Sequence, residues 1–286
     1  MKFAWIEQHR NTYPVRVMCL VLDASVSGYY AWRERKPSAH QQRQEQLVQK
    51  IRTIHANSRK VYGSPRVHRD LLKQGEKVCE NTVAKLMRRA QIRSVRTRRF
   101  VPRTTDSRHA HPVAANVLNR NFTATQPNQK WVCDITYLPT TEGWLYLAAT
   151  LDLYSRKIVG WSMGESLGVE LVSAALTMAL ARRHPPRGLL HHSDRGVQYA
   201  CGDYQAKLAV HGLQCSMSRT GDCYDNAAME SFWGTLKTEM LYPAELQPRE
   251  QTRLAVFDYV EVFYNRVRMH SSLGYVSPEA FEAAHR

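Results

Sequence analysis

The sequence predicts an α/β protein in two parts: an all-α front of helix-turn-helix type, then a mixed α/β domain. Three observations carry that reading. Charge is divided, since residues 1–125 hold 25 basic and 8 acidic side chains, net +17, while residues 126–286 hold 15 and 17, net −2. Helical periodicity with capping residues runs through the first part. From Trp131 onward, three β-type runs joined by short turns precede alternating helices and strands. At 286 residues, 43% hydrophobic, the chain has material for about two domains of roughly 100–200 residues each. No apolar run nears the roughly 20 residues of a membrane span, and Met1–Tyr30 lacks the clean apolar centre of a secretory signal. The six cysteines are widely spaced with no C-x-x-C pair, which predicts reduced thiols in a cytoplasmic protein and no zinc site.

In the front part, Val15–Leu22 reads as a short helix, Asp23-Ala24-Ser25 as a turn, and the residues through Tyr29, Tyr30 and Trp32 as a second helix. Gln41–Ile54 has Leu47, Val48, Ile51 and Ile54 at helical spacing. Tyr62-Gly63-Ser64-Pro65-Arg66 then predicts a helix capped by Ser64 with Pro65 in its first turn, ending near Gly75. Asn81 is expected to cap a further helix with Val83, Leu86 and Met87 inside and Lys85, Arg88 and Arg89 outside. A short helix, a Gly-containing turn and a basic second helix suit major-groove docking. Arg93, Arg96, Arg98 and Arg99 open a polybasic stretch fit for salt-sensitive phosphate contact. The expected organisation is therefore residues 1–60, helical and helix-turn-helix-like; 61–95, a second such segment; 96–125, a basic linker; and 126–286, an α/β core with a C-terminal helix. A net charge of +15 and a pI near 9.7 point to a polyanion, most simply nucleic acid.

In the core, Lys130–Leu138, Trp144–Leu151 and Ile158–Met163 read as an antiparallel meander. Beyond it come a helix over Val169–Arg183, strands at Leu189–His192 and Leu213–Met217, and helices at Tyr204–His211, Ala227–Leu241 and Gln251–Asn265. That is the element order of ribonuclease-H-like domains. Three carboxylates stand out within it. Asp134 sits inside the first strand, where an ionised side chain is costly unless exposed or bound to something positive. Asp194 ends a strand, where α/β sheets place ligands. Glu230 lies in the first turns of a helix, with Lys237 seven residues on and so on the same face. Taken singly, they read as an edge-strand acid, a helix cap and a dipole-favoured carboxylate. Together they form a constellation.

The motifs around them are Trp131-Val-Cys-Asp134-Ile-Thr-Tyr, His192-Ser-Asp194-Arg-Gly-Val-Gln-Tyr199 and Gly221-Asp-Cys-Tyr-Asp225-Asn226-Ala-Ala-Met-Glu230-Ser-Phe with Lys237-Thr-Glu239. With Ser27-Gly28-Tyr29-Tyr30 and Tyr264-Asn265-Arg-Val-Arg268-Met-His270, they make the chain resemble the bacterial insertion-sequence transposases of the IS-three type, specifically the second-frame product. The resemblance spans essentially the whole chain and implies an integrase catalytic core of ribonuclease-H-like fold. It implies a DDE-type transposase that cleaves and joins DNA strands at the ends of an insertion sequence. Carboxylate oxygens suit Mg²⁺ or Mn²⁺, and two ions are expected, with Asp134 shared and Asp194 and Glu230 each completing one site. Lys237 is expected on a phosphate, and Arg66, Lys85, Arg88, Arg89, Arg93, Arg96, Arg98 and Arg99 on DNA. Expected partners are double-stranded DNA (element ends and target), further copies of the chain on DNA, and the upstream-frame product or a fusion with it. The rival readings are a catalytically silent DNA-binding regulator or accessory subunit, against which the intact acids count, and a nuclease acting on RNA–DNA hybrids, which the large basic front disfavours.

Overall fold

The computed structural model describes residues 1–95, 112–219 and 223–285. Helices α1 (Lys2–His9), α2 (Val15–Val21) and α3 (Val26–Glu34) close on a small core of Ile6, Met18, Cys19 and Tyr29. Ser25 starts α3 by accepting a hydrogen bond from the Gly28 amide at 3.1 Å. Helix α4 (Ala39–Asn57) opens on a capping box in which Ser38 and Gln41 each accept the other's backbone N–H. Helices α5 (Ser64–Lys73) and α6 (Glu80–Arg89) start one or two residues before the positions that cap chemistry suggests. A cap residue needs extended backbone, and Gly63 (ψ 178°) and Cys79 (ψ 155°) supply it, leaving Ser64 and Asn81 already helical.

Packing in the front part runs across residue 60. Leu47, Ile51 and Ile54 of α4 bury against Val67 and Leu71 of α5 and Val83, Leu86 and Met87 of α6, so α4 forms one unit with these two helices. Arg43 and Lys50 of α4 both clasp the buried Glu76 beyond α5.

The core sheet has five strands: β1 (Lys130–Thr140), β2 (Gly143–Asp152), β3 (Ile158–Gly164), β4 (Leu190–Ser193) and β5 (Gln214–Met217), in the order β3-β2-β1-β4-β5. The first three run antiparallel, and β4 and β5 run parallel to β1. This is the ribonuclease-H-like arrangement, and it makes β1 central. Alternation along β1 separates the two faces. Trp131 and Cys133 face α7 (Val169–Arg183) and, beyond the short α8 (Val197–Ala200), α9 (Gly202–Val210). Val132 and Leu138 face α10 (Ala227–Leu236) and α11 (Arg249–Phe257). Both of these last helices run on as π-helical turns, Lys237–Leu241 and Asp258–Tyr264, where the sequence predicts plain α-helix. The chain ends with α12 (Pro278–Ala284), capped by Ser277.

One continuous apolar core joins α4–α6 to the α10 face of the sheet. Polar ties reinforce it. The Tyr62 hydroxyl accepts from the Met269 amide at 2.8 Å and donates to the Val267 carbonyl, Arg59 pairs with Asp258, and Lys73 donates to the Tyr275 carbonyl. Among the described residues no helix is long and apolar enough to cross a membrane.

Gly160 in β3 is where α7 comes closest to the sheet. A Cβ there would lie 2.2 Å from the Ala175 carbonyl oxygen and 2.7 Å from the Ala179 amide nitrogen, both backbone atoms. Gly160→Ala is expected to cost about 1–3 kcal/mol or more, because helix backbone must move off the sheet. Urea denaturation with an unchanged m-value checks this, and a midpoint equal to that of the unmodified chain would contradict it.

Candidate active site

The sheet register sets the first two carboxylates side by side. Parallel pairing of β1 and β4 matches Val132 with His192, so two residues further along each strand stand Asp134 and Asp194. Asp134 is not on an edge strand, since β1 has β2 on one side and β4 on the other. It lies on the same face as Val132, beneath α10. Asp194 comes just after the last residue of β4, and its carboxylate accepts the Gly196 amide at 2.9 Å. A Cβ at Gly196 would meet Asp194 Oδ1 at 3.0 Å, so the glycine keeps this turn tight.

Two bonds clamp α10 over β1. Asn226, at the start of the helix, donates from Nδ2 to the Cys133 carbonyl at 3.0 Å, and the Trp233 indole donates to Asp134 Oδ2 at 2.9 Å. Glu230 lies between these anchors in the first turn, more open than the two aspartates. Burial and the Asp194 carboxylate, with a contribution from Glu230, push the Asp134 carboxyl up to about 8. The three acids therefore share one field. Among the described residues, no three Asp, Glu, His or Cys side chains are drawn together into a closed metal cluster. What the structure shows is a desolvated carboxyl with two acidic neighbours and a single side-chain donor, a setting that fits an added divalent cation. Lys237 reaches the same field from the π-turn: burial lowers its pKa and the Asp134 charge opposes that.

Asp225 is a residue whose role the sequence does not reveal. Fully buried, it accepts from Arg219 (backbone at 2.8 Å, guanidinium at 2.7 and 3.0 Å), Arg120 (3.1 Å) and Asn116 (2.8 Å). The Arg219 hydrogen bonds hold its carboxyl far below the usual carboxylate range despite that burial. It thereby ties the segment before β1, the end of β5 and the approach to α10 into one knot. His192 adds a second tie. Ser216 Oγ accepts both the Val117 and Leu118 amides, so its own hydrogen goes to His192 Nδ1 at 2.8 Å, and His192 Nε2 is left to donate to Ser218. Burial holds this imidazole neutral, down to about 4. The only signal for Asp225 in the sequence is its place just before Asn226, which reads equally as a helix opening.

The basic residues named from the sequence do not gather at this site. Lys85, Arg88 and Arg93 are exposed on and just after α6, and Arg89, also exposed, bonds Gln44. Arg66 turns inward, donating from Nε to the Met269 carbonyl at 3.0 Å and lying over the Tyr62 ring. Arg268 is buried in a bidentate pair with Glu239, and Tyr264 packs in the core. Arg96, Arg98 and Arg99, most of the basic linker, and Gly221 lie outside the described residues.

A three-layer core with one aspartate inside the central strand and a second just past the parallel strand beside it, fronted by a helix-turn-helix-like unit, defines a DNA strand transferase of the integrase-core class. Comparison with known proteins agrees. The family described as "Integrase core domain" matches residues 124–223, a second of the same description matches 211–278, and "HTH-like domain" matches 41–100. The chain is 47% identical, over 92% of its length and 97% of the relative's, to the uncharacterized 31 kDa protein of insertion element IS600 of Shigella sonnei. It is 44% identical, over 99% and 98%, to transposase InsF for insertion sequence IS3A of Escherichia coli (strain K12). Among solved structures, the HTLV-2 integrase catalytic core domain in complex with magnesium aligns with TM-score 0.44 and 15% identity over 56% of this chain and 99% of that one. The chain belongs to the IS3 family of insertion-sequence transposases, and it is a DNA transposase.

The raised Asp134 value has a sign that can be tested. Its folded-state pKa lies above the ordinary carboxylate value near 4, so the folded state loses stability as pH climbs from there through 8. With chelator present, Asp134→Asn is expected to raise Tm by several degrees at pH 8 and hardly at all at pH 4.5. Thermal scans at the two pH values check this. Equal shifts at both would show that the carboxyl is not strained by its neighbours.

Proposed function

We propose that Asp134, Asp194 and Glu230 are the catalytic and metal-holding residues of this transposase, acting at the ends of its own insertion sequence. The observation that carries this reading is the register of β1 and β4, which levels the two aspartates under a helix clamped to β1 by Asn226 and Trp233. Those three acids would hold Mg²⁺ or Mn²⁺, with two ions expected and Asp134 shared between them. When bound, such ions stabilise the attacking and leaving oxygens of an in-line displacement at phosphorus. The chain's own residues do the rest. Trp233 fixes one oxygen of Asp134, and the Asp225 knot fixes where α10, and with it Glu230, begins. Lys237, whose charge interacts with that of Asp134, would hold a phosphate of the reacting strand.

The division of labour matches the charge. α4–α6 would form the DNA-reading unit, with Lys85, Arg88, Arg89 and Arg93 facing the duplex, and Arg96, Arg98 and Arg99, outside the described residues, would add phosphate contacts. Assembly with further chains, whether copies or the upstream-frame product, belongs to the same reading. It is supported by the exposed apolar face of α2, where Val17, Leu20 and Val21 point outward. The chain would act on bacterial DNA in the cytoplasm.

Duplex DNA carrying the element's end, incubated with the protein and Mg²⁺ or Mn²⁺, is expected to be nicked or joined at that end. Glu230→Gln is expected to lower the rate at least 100-fold while end binding stays within twofold. Gel analysis of labelled strands reads both. End binding with no product from the unmodified chain in either metal would support the silent-regulator reading instead.

A further inference from the structure

Only burial and the Asp134 charge act on the Lys237 ammonium, so its position is set through the backbone. Two side-chain anchors flank it on the same helical run. Four residues earlier, the Trp233 indole donates to Asp134 Oδ2. Two residues later, the Glu239 carboxylate is gripped by Arg268 at 2.7 Å twice and by the Tyr259 hydroxyl at 2.9 Å. Lys237 and Glu239 share one π-turn, in which the Tyr242 amide donates to the Lys237 carbonyl at 2.8 Å. Such turns are rare, and reversion to plain α-helix would rotate Glu239 relative to Arg268. The pair is buried, with the Arg268 side chain 5% and the Glu239 side chain 8% exposed. A buried ion pair is a weak source of stability, because apolar side chains of similar volume pack about as well. Its best-attested use is to select one arrangement over its near neighbours. The arrangement selected here is the π-turn.

The grip continues into the helix-turn-helix-like unit. Met269 follows Arg268, and its amide donates to the Tyr62 hydroxyl while its carbonyl accepts Arg66 Nε. The same Tyr62 hydroxyl donates to the Val267 carbonyl. Arg268 is thus bracketed by two residues whose backbone is bound to Tyr62. We propose that the Arg268–Glu239 pair is a positioning device for Lys237, and that Tyr62 makes the seating of the helix-turn-helix-like unit part of it. The proposal rests on the reading that Lys237 holds a phosphate of the reacting strand, and it deepens that reading. Arg268 and Glu239 act through the lysine: they fix the phase of the π-turn, and with it where the ammonium stands beside Asp134. A chain whose front unit is unseated keeps its three acids and loses the lysine's aim.

A double-variant cycle on the full chain separates positioning from plain stability. Nicking of end-containing duplex is measured in single turnovers, below the melting temperature of every variant. Lys237→Met is expected to lower the rate about 30-fold and Glu239→Gln about tenfold. In the Lys237→Met background, Glu239→Gln is expected to lower it by less than about twofold more, because the lysine it aims is gone. Tyr62→Phe is expected to slow nicking about threefold with Lys237 present and hardly at all without it. Glu239→Gln strands a buried guanidinium, so Glu239→Leu combined with Arg268→Met, an apolar pair, is the folded counterpart and is expected to show the same loss. Position is read separately, without metal or turnover. Lys237→Cys is paired with a thiol-tethered phosphate moved along the strand. Disulfide capture is expected at a single phosphate and its neighbours with the pair intact, and over a wider stretch with the apolar pair. Equal losses from Glu239→Gln in both backgrounds, or a capture pattern unchanged by the apolar pair, would each overturn the proposal. Full activity of Lys237→Met would overturn the lysine's role and the proposal with it. If the unmodified chain nicks nothing, the capture pattern decides: confined capture that spreads in the apolar pair upholds the positioning role and counts against the three acids.

Discussion

Much of this structure depends on one carboxyl group placed where the sheet can least easily hold it. Asp134 is in the central strand, under a helix and beside a second aspartate, and its carboxyl is driven up to about 8 by burial and like charge. Ordinary packing would select a neutral residue there. Keeping the acid requires a frame stiff enough that its neighbours cannot relax away from it. The frame consists of the β1–β4 register, the Trp233 indole on one carboxylate oxygen and the Asn226 amide on the adjacent carbonyl. Strain of this kind is tolerated where a bound cation relieves it.

The supporting shell shows how that stiffness is distributed. Asp225, His192, Ser216 and Ser218 touch no reacting group in this reading. Through them the segment before β1, the strands β4 and β5 and the start of α10 share hydrogen bonds that leave few alternative arrangements. On the far side, the Arg268–Glu239 pair and the Tyr259 hydroxyl join the two π-turns. A π-turn inserts one extra residue per turn and rotates the residues beyond it, so Glu239 can meet Arg268 while Lys237 still reaches toward Asp134.

Most of the fold was legible because its signals are local. Alternation around Asp134 and the uninterrupted apolar spacing of Val169–Arg183 each declare an element without reference to the rest of the chain. The three acids were legible as a candidate constellation, though their spacing alone could not say that β1 is central. The features that stayed hidden depend on contacts between distant segments. α1 has weak amphipathicity and takes its place from Tyr29 and Met18. Asp225 looks like a helix opener until Arg120 and Arg219 arrive from elsewhere. Arg66 carries the same charge as Arg88, and only the position of Met269 turns one inward while the other stays exposed. The grouping of α4 with α5 and α6 was hidden for the same reason, since a helical stripe does not name its partner.

That grouping has a consequence for how length is measured on DNA. Because α4–α6 and the sheet share one apolar core, the DNA-reading unit cannot swing on a tether relative to the chemistry. The span between the two acts as a gauge of fixed size, set by side-chain packing. On the proposed site, an insertion-sequence end would then be defined by geometry as much as by base sequence: half a helical turn added between the read segment and the cut would bring the wrong face of the duplex to Asp134. The family's terminal spacing would be inherited along with its hydrophobic core, and the two could change only together.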